Sequence, residues 1–238
     1  MQLLIKKESK YIYLFDIFLL IILSILPIVL ITGPFLSDFI VVISSIVFLF
    51  LIFFKKEFFY LQNKLFIFFI IWCLYLILTS LFSDDAFFSL ESSLFYFRFG
   101  FFSLSIWYML NNSKFFIKFF FFSLFFSFII LFLDSFLQYF TGKNILNFPY
   151  EGDRISSFFG DEKILGSYFS RLFPIFFATL FYINFSKRFT TIVMVLIFAL
   201  TDIIVYISGE RTAFFYLILT SALIIILINK YKILRMST

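Results

Sequence analysis

Eight long apolar stretches, separated by short polar connections, constrain the fold of this chain more than any other feature. A helix needs about 20 apolar residues to cross the hydrocarbon core of a bilayer. With 63% apolar and only 14% charged residues, a soluble domain of 238 residues could not bury this much apolar surface. The sequence predicts an all-α, polytopic transmembrane helix bundle of about 8 spans, forming one domain over 1–238. The spans are predicted at 11–31, 35–54, 65–82, 93–110, 115–133, 164–184, 190–208 and 212–229.

The charges between the stretches alternate, and this alternation predicts the topology. Eleven of the thirteen lysines lie in every second connection or at the two termini, as in the clusters at 55–64 and 230–235. The remaining connections carry most of the acidic residues. Because lysine and arginine concentrate in cytoplasmic loops, both termini are predicted to be cytoplasmic. The longest outer connection is predicted at 134–163.

Composition also excludes several classes of function. The net charge of +5 comes from short lysine clusters between apolar runs and not from a basic stripe, so no nucleic-acid partner is expected. The chain has one cysteine, Cys73, and no histidine, which argues against a disulfide or a metal site. The first apolar stretch exceeds 20 residues without a small-residue cleavage site. We therefore interpret it as an uncleaved first helix.

Four of the six arginines depart from the alternation and define the candidate site. Arg98, Arg154, Arg171 and Arg211 fall in outer connections or in apolar segments next to them. A charge inside a span costs roughly 2.5–3.5 kcal/mol on insertion scales, so such a residue is a functional candidate. The planar guanidinium can bind a phosphate through two parallel hydrogen bonds. The four arginines therefore predict a site for a diphosphate at the outer face.

Each arginine also has a structural interpretation, which the sequence leaves open. Arg98 and Arg171 could pair with Asp202, Glu162 or another carboxylate of the bundle. Arg154 could be a solvated loop charge. Arg211 could anchor a helix at the membrane interface.

Short motifs in the second half of the chain resemble those of the O-antigen ligase and O-antigen polymerase superfamily. They are D-x3-Q-x3-G at Asp134, Gln138 and Gly142, R-x3-FFG-x3-ILGSY from Arg154, a proline at 174, and SGERTA at 208–213. The resemblance covers about 90–220, and the earlier helices match only in hydropathy. Members of this superfamily are polytopic glycosyltransferases of the bacterial inner membrane that act on undecaprenyl-diphosphate-linked saccharides.

The resemblance implies a function and assigns roles to residues. It implies transfer of a saccharide from the lipid-linked donor to a lipopolysaccharide or other glycan acceptor on the periplasmic face, with no cofactor and no metal. Arg154 and Arg211 match the arginines that bind the lipid diphosphate in the superfamily. Arg98 and Arg171 are assigned to the same diphosphate site. Asp161, Glu162 and Glu210 are the carboxylates nearest to the arginines in sequence. They are therefore the candidates for the catalytic base.

The chain departs from the superfamily in one respect. Typical members have more spans and a large periplasmic loop after SGERTA, with a histidine taken to activate the acceptor hydroxyl. No histidine occurs here, and the sequence ends soon after the eighth stretch. This favours an N-terminal portion or a short member, and whether the chain is itself an enzyme stays open. The alternatives are a transporter or flippase for a lipid-linked saccharide, or a non-catalytic truncated member.

Overall fold

The computed structural model describes residues 2–150, 152, 154–183 and 185–227. Within these ranges every regular element is helical, apart from one isolated β-bridge between Lys143 and Pro149. The α-helices are α1 (Gln2–Val29), α2 (Pro34–Lys55), α3 (Lys64–Leu81), α4 (Ala86–Ser93), α5 (Arg98–Asn112), α6 (Phe116–Thr141), α7 (Leu165–Ile183), α8 (Lys187–Ile207) and α9 (Arg211–Leu227). Three short 3-10 helices lie at Leu30–Thr32, Phe58–Gln62 and Ser157–Phe159. The prediction of an all-α protein is confirmed.

Five helical segments of the described chain are both long and apolar enough to cross a membrane, and they indicate a membrane protein. They are Tyr11–Thr32, Pro34–Lys55, Lys64–Leu81, Phe116–Thr141 and Lys187–Ile207. The eight predicted spans are therefore recovered only in part. The predicted span 93–110 is divided, because α4 ends at Ser93 and α5, with 15 residues, begins at Arg98. Helix α9 has an apolar part of fewer than 18 residues, and α7, with 19 residues, carries Arg171 and does not reach the apolarity of the five.

The loop predicted at 134–163 begins later than expected. Helix α6 continues to Thr141, so Asp134 and Gln138 lie inside a helix and not in a connection. A carboxylate ends an apolar stretch in the sequence, but it does not end a helix when buried hydrogen bonds satisfy it. The connection between α6 and α7 covers 142–164. It begins at Gly142, whose φ of +80° is a left-handed conformation typical of the residue after a helix.

The chain divides into two compact units, each of which has its own core. The first unit comprises Met1–Leu26 and Pro34–Phe116, and the second comprises Pro27–Gly33 and Ile117–Thr238. The prediction of a single domain over 1–238 stays a prediction.

Aromatic rings and one charged cluster hold the first unit together. Helix α2 packs against α5, and the buried ring of Phe48 contacts the rings of Tyr60 and Tyr108 at centroid distances of 5.9 and 5.8 Å. At the end of α2, Lys55 Nζ lies 2.8 Å from Asp16 Oδ2 of α1. The Tyr108 hydroxyl donates to Asp16 Oδ1 at 2.6 Å. These contacts join α1, α2 and α5.

Phenylalanine side chains of α6 and α7 form the core of the second unit. Phe128 stacks on Phe176 at 5.4 Å and Phe132 stacks on Phe169 at 4.8 Å. Helix α7 also packs against both α8 and α9. It is therefore the central helix of this unit, and groups attached to its first turns are held by several neighbours.

Candidate functional site

The turn between α8 and α9 is bonded to the beginning of α7. Glu210 Oε1 accepts a hydrogen bond from the backbone N–H of Gly166 at 2.6 Å, and Oε2 accepts one from the N–H of Ser167 at 3.0 Å. Oε2 also accepts a hydrogen bond from the Ser167 hydroxyl. The first N–H groups of a helix have no partner within the helix, and a carboxylate there is further stabilised by the helix dipole. Glu210 thus caps α7 from 43 residues away in sequence.

This contact places two connections at one end of the second unit, which we call the loop end. The loop end consists of residues 142–164, between α6 and α7, and 208–210, between α8 and α9. Close packing supports it, because a Cβ added to Gly166 would collide with the Ser208 hydroxyl and lie 3.1 Å from Ala213 Cβ. The motifs ILGSY and SGERTA therefore meet in space.

A buried polar network fastens the 142–164 connection to the end of α6. Asp134 is fully buried, and its Oδ1 accepts a hydrogen bond from the N–H of Ile145 at 2.9 Å. Its Oδ2 accepts one from the Ser157 hydroxyl at 2.5 Å. The side-chain amide of Asn144 donates to the Ser157 carbonyl at 2.7 Å. These bonds fold the connection back over the end of the helix.

Gln138, one helical turn after Asp134, joins two segments of the same connection. It is fully buried, and its Oε1 accepts hydrogen bonds from the N–H groups of Ser156 at 3.2 Å and Ser157 at 2.7 Å. Its Nε2 lies 3.4 Å from the Phe148 carbonyl and donates to it. Residues four apart lie on the same face of a helix, which explains why Asp134 and Gln138 act together. The motif D-x3-Q-x3-G therefore builds the loop end.

Arg98 belongs to the first unit and has a partner there. Its Nη2 lies 3.0 Å from Asp38 Oδ2, and 30% of the Arg98 side chain is exposed. The ion-pair interpretation is therefore the one that the structure supports for Arg98, although its partner is neither Asp202 nor Glu162. Asp38 was not singled out in the sequence because it lies 60 residues away, and pairing at that separation is decided by the packing of α2 against α5.

The other three arginines lie in the second unit and are exposed. Arg154 lies in the connection, Arg171 lies one turn after Ser167 in α7, and Arg211 begins α9 next to Glu210. None of the three forms a salt bridge with any residue that the structure describes. The alternative in which Arg171 pairs with Asp202, Glu162 or another carboxylate is thus not found among those residues. Because each of the three side chains is exposed, an anion can reach it.

Two cavities lie at the loop end, and their walls differ in polarity. The larger, of about 280 Å³, is mainly apolar, and Arg171 is the charged residue among its described walls. Its other walls are Leu30, Phe159, Ile164, Ser167, Tyr168 and Leu172. The smaller, of about 110 Å³, is mainly polar and includes Arg154, Ser156, Asp161 and Lys163. Both cavities are lined in part by the segment 159–164.

The three candidate bases differ in what they contact. Asp161 is exposed and lines the smaller cavity, and Glu162 is exposed beside it. Both carboxylate oxygens of Glu210 accept hydrogen bonds from α7. This geometry favours a capping role for Glu210 and leaves Asp161 and Glu162 as the accessible carboxylates. Within the described ranges, no three His, Cys, Asp or Glu side chains come together as metal ligands would.

Searches against protein-family models, curated proteins and solved structures find no match to this chain.

Sequence reasoning did not single out Phe148, Asn144, Ser156 or Lys163 as parts of the site. Lys163 carried the same signal as the arginines, since it is a basic residue in an outer connection. Nothing in the sequence indicated that Phe148 and Ser156 belong to the site. Only the fold of the connection brings both residues to Gln138.

Proposed function

We propose that this protein is an inner-membrane glycosyltransferase of the O-antigen ligase or polymerase type, which uses an undecaprenyl-diphosphate-linked saccharide as donor. The observation that carries the proposal is that three exposed arginines lie in the loop end or in the helices next to it, none with a carboxylate partner among the described residues. Exposed guanidinium groups suit an anionic ligand. The motifs that suggested the superfamily are also the ones that the hydrogen bonds of Glu210, Asp134 and Gln138 bring together.

The shape of the loop end fits an amphiphilic anion. The larger cavity places Arg171 among apolar side chains, which suits a phosphate joined to a hydrocarbon chain. Arg211, next to the Glu210 cap, and Arg154, in the connection, supply further charge for a diphosphate. Membrane lipid surrounds the apolar helices and delivers such a donor laterally.

In the proposed reaction, the bond between the anomeric carbon and the diphosphate oxygen breaks, and the diphosphate leaves with the electron pair. The acceptor hydroxyl oxygen forms the new bond to the anomeric carbon, and its proton passes to a carboxylate, Asp161 or Glu162. Negative charge grows on the leaving group as the bond breaks. Fixed arginines therefore stabilise the transition state more than the ground state. The acceptor is a lipopolysaccharide or another glycan on the periplasmic face.

Binding of undecaprenyl diphosphate to the full chain in nanodiscs tests the proposal. Arg154→Ala and Arg211→Ala should each weaken binding at least about tenfold, since a hydrogen bond to a charged group contributes about 1.5–3 kcal/mol. Arg211→Lys should also weaken it, because lysine lacks the planar fork. Arg188→Ala is the matched control, since Arg188 is an exposed arginine in the first turn of α8, at the opposite end of that helix from Glu210. Undecaprenol, which lacks the diphosphate, should not bind through the arginines.

Wild-type affinity in both Arg154→Ala and Arg211→Ala would overturn the diphosphate site. Binding that depends on the arginines, without transfer of the saccharide to any glycan acceptor, would overturn the proposed enzymatic activity. A transporter or a non-catalytic member would then be the better interpretation.

A further inference from the structure

We infer that α8 is the contact helix of a dimer, in which the same face of α8 from two copies of this chain packs in parallel, with Asp202 and Tyr206 bonding across the contact. The inference goes beyond the proposed function and uses none of the residues assigned to the donor. Helix α8 is one of the five segments that are long and apolar enough to cross a membrane. Two copies in one membrane have the same orientation, so a two-fold axis brings the same residues together at the same depth.

Helix α8 has two faces with different surroundings. One face is buried inside the second unit, where α8 packs against α7 and α9. The opposite face is exposed and carries five residues at alternating spacings of three and four, which we call the α8 seam: Ile192, Val195, Ala199, Asp202 and Tyr206. This spacing is typical of helices that pack as a left-handed pair. Ala199 lies at the centre of the seam, and small residues let two helices approach closely in a membrane.

Asp202 is the reason for placing protein, and not lipid, against the α8 seam. It is exposed, and no hydrogen bond or salt bridge joins its carboxyl group to any residue that the structure describes. It lies five residues before Ile207, about 8 Å along the axis from the end of the helix. Aspartate is too short to reach the headgroups as lysine and arginine do. A carboxyl group inside a membrane is costly and faces protein as a rule.

Tyr206 supplies the hydrogen-bond donor that Asp202 lacks. It lies one turn later on the same face and is 78% exposed, and its hydroxyl bonds to nothing in the described ranges. Side chains of a helix lean toward its N-terminus, so the ring of Tyr206 leans back toward the level of Asp202. In a parallel pair, the Tyr206 hydroxyl of each copy can therefore donate to the Asp202 carboxyl of the other. The seam is self-complementary, which favours a second copy as its partner.

The two-fold axis also brings the two Asp202 carboxyl groups near each other. Two carboxylates at close range cannot both be ionised, so the pair shares one proton and one carboxyl group donates to the other. The amide of asparagine donates and accepts hydrogen bonds without a charge. The contact therefore needs hydrogen-bonding groups at position 202 and not a negative charge.

Cysteine crosslinking of the full chain in liposomes tests where two copies meet. Cys73→Ser first removes the native thiol. In this background, Ala199→Cys should give a disulfide-linked dimer on mild oxidation, because a seam residue faces its own copy. Leu219→Cys is the matched control, since Leu219 is exposed on α9, eight residues after Arg211, as Ala199 lies eight residues before Ile207. Equal crosslinking at the two positions would show random collision and overturn the contact.

Energy transfer between labelled full-length chains, measured over a series of protein-to-lipid ratios, tests the polar pair. Asp202→Leu should weaken the dimer at least about tenfold, and Tyr206→Phe about threefold to tenfold, because interhelical hydrogen bonds in membranes are individually modest. Asp202→Asn should stay within about threefold of the wild type. Tyr216→Phe, which changes an exposed tyrosine of α9, should have no effect.

Three results would overturn the inference. The first is a wild-type chain that stays monomeric at every protein-to-lipid ratio, which needs no variant. The second is a dimer that Asp202→Leu leaves as stable as the wild type. The third is a loss for Asp202→Asn as large as that for Asp202→Leu, which would show that a charged partner, and not a second copy of the seam, binds Asp202.

Discussion

The charged and buried polar side chains of the two units have different kinds of partners. This difference distinguishes charges with a structural role from charges that are candidates for a ligand site. In the first unit, the charged side chains singled out above pair with one another, Lys55 with Asp16 and Arg98 with Asp38. In the second unit, the buried Gln138 bonds to backbone groups, and the buried Asp134 bonds to a backbone N–H and to neutral side chains. Arg154, Arg171 and Arg211 have no salt-bridge partner among the described residues. A paired charge holds helices together, whereas an exposed arginine beside a cavity can be reached by a ligand.

The largest change should come from Gln138→Leu, which removes the anchor of the loop end. The N–H groups of Ser156 and Ser157 and the Phe148 carbonyl would lose their side-chain partner inside the protein. An unsatisfied buried group costs about 1–3 kcal/mol, so the free energy of unfolding should fall by at least that amount. Thermal or denaturant unfolding in micelles measures the change.

The matched variant in the first unit is Asp16→Asn. The Asp16–Lys55 pair is about one-quarter exposed and loses only part of its electrostatic attraction when Asp16 is replaced by the amide. The amide oxygen of asparagine can still accept hydrogen bonds from Tyr108 and Lys55, so the free energy of unfolding should fall by only about 1 kcal/mol. A larger loss for Asp16→Asn than for Gln138→Leu would reverse the comparison.

Gly166→Ala, at the contact between α7 and the 208–210 turn, should cost less than Gln138→Leu, because the N–H of residue 166 can still bond to Glu210. The new methyl group would collide with the Ser208 hydroxyl and press on Ala213, and overpacking costs about 1–3 kcal/mol. Adding Ser208→Ala should recover part of the loss, because it removes the colliding oxygen. Unfolding curves of the two single variants and the double variant give the coupling. Strict additivity would show that the two residues do not touch.

The smallest effect should be that of Arg98→Gln on ligand binding. Arg98 is paired with Asp38 in the first unit, so undecaprenyl diphosphate should bind this variant within about twofold of the wild-type affinity, well short of the tenfold change that a lost charged hydrogen bond gives. The same binding assay that compares Arg211→Ala with Arg188→Ala provides the measurement. A loss equal to that of Arg211→Ala would place Arg98 with the ligand-binding arginines and remove the distinction between the units.

Hydropathy predicted the positions of most helices correctly. A run of about twenty apolar residues can be recognised from the residues of the run alone, without knowing what they pack against. The segments Tyr11–Thr32, Pro34–Lys55 and Lys64–Leu81 agree with the predicted spans to within one residue at each end. Hydropathy predicted that the span at 115–133 ends just before Asp134, whereas α6 continues for eight more residues to Thr141. The hydrogen bonds that keep this carboxylate buried come from residues 145 and 157, which hydropathy does not consider.

The sequence by itself determined that the protein is helical and apolar enough for a membrane. It also indicated the arginines as candidate residues. Both follow from composition and from the positions of charges, which are properties of the linear chain. Only the tertiary structure decided which charges are paired. It gave Arg98 the partner Asp38 and left Arg154, Arg171 and Arg211 exposed. It also showed that Glu210, one of the candidate bases, caps α7. Pairing depends on which helices pack together. Side chains that are 43 to 60 residues apart in sequence meet only when their helices are in contact.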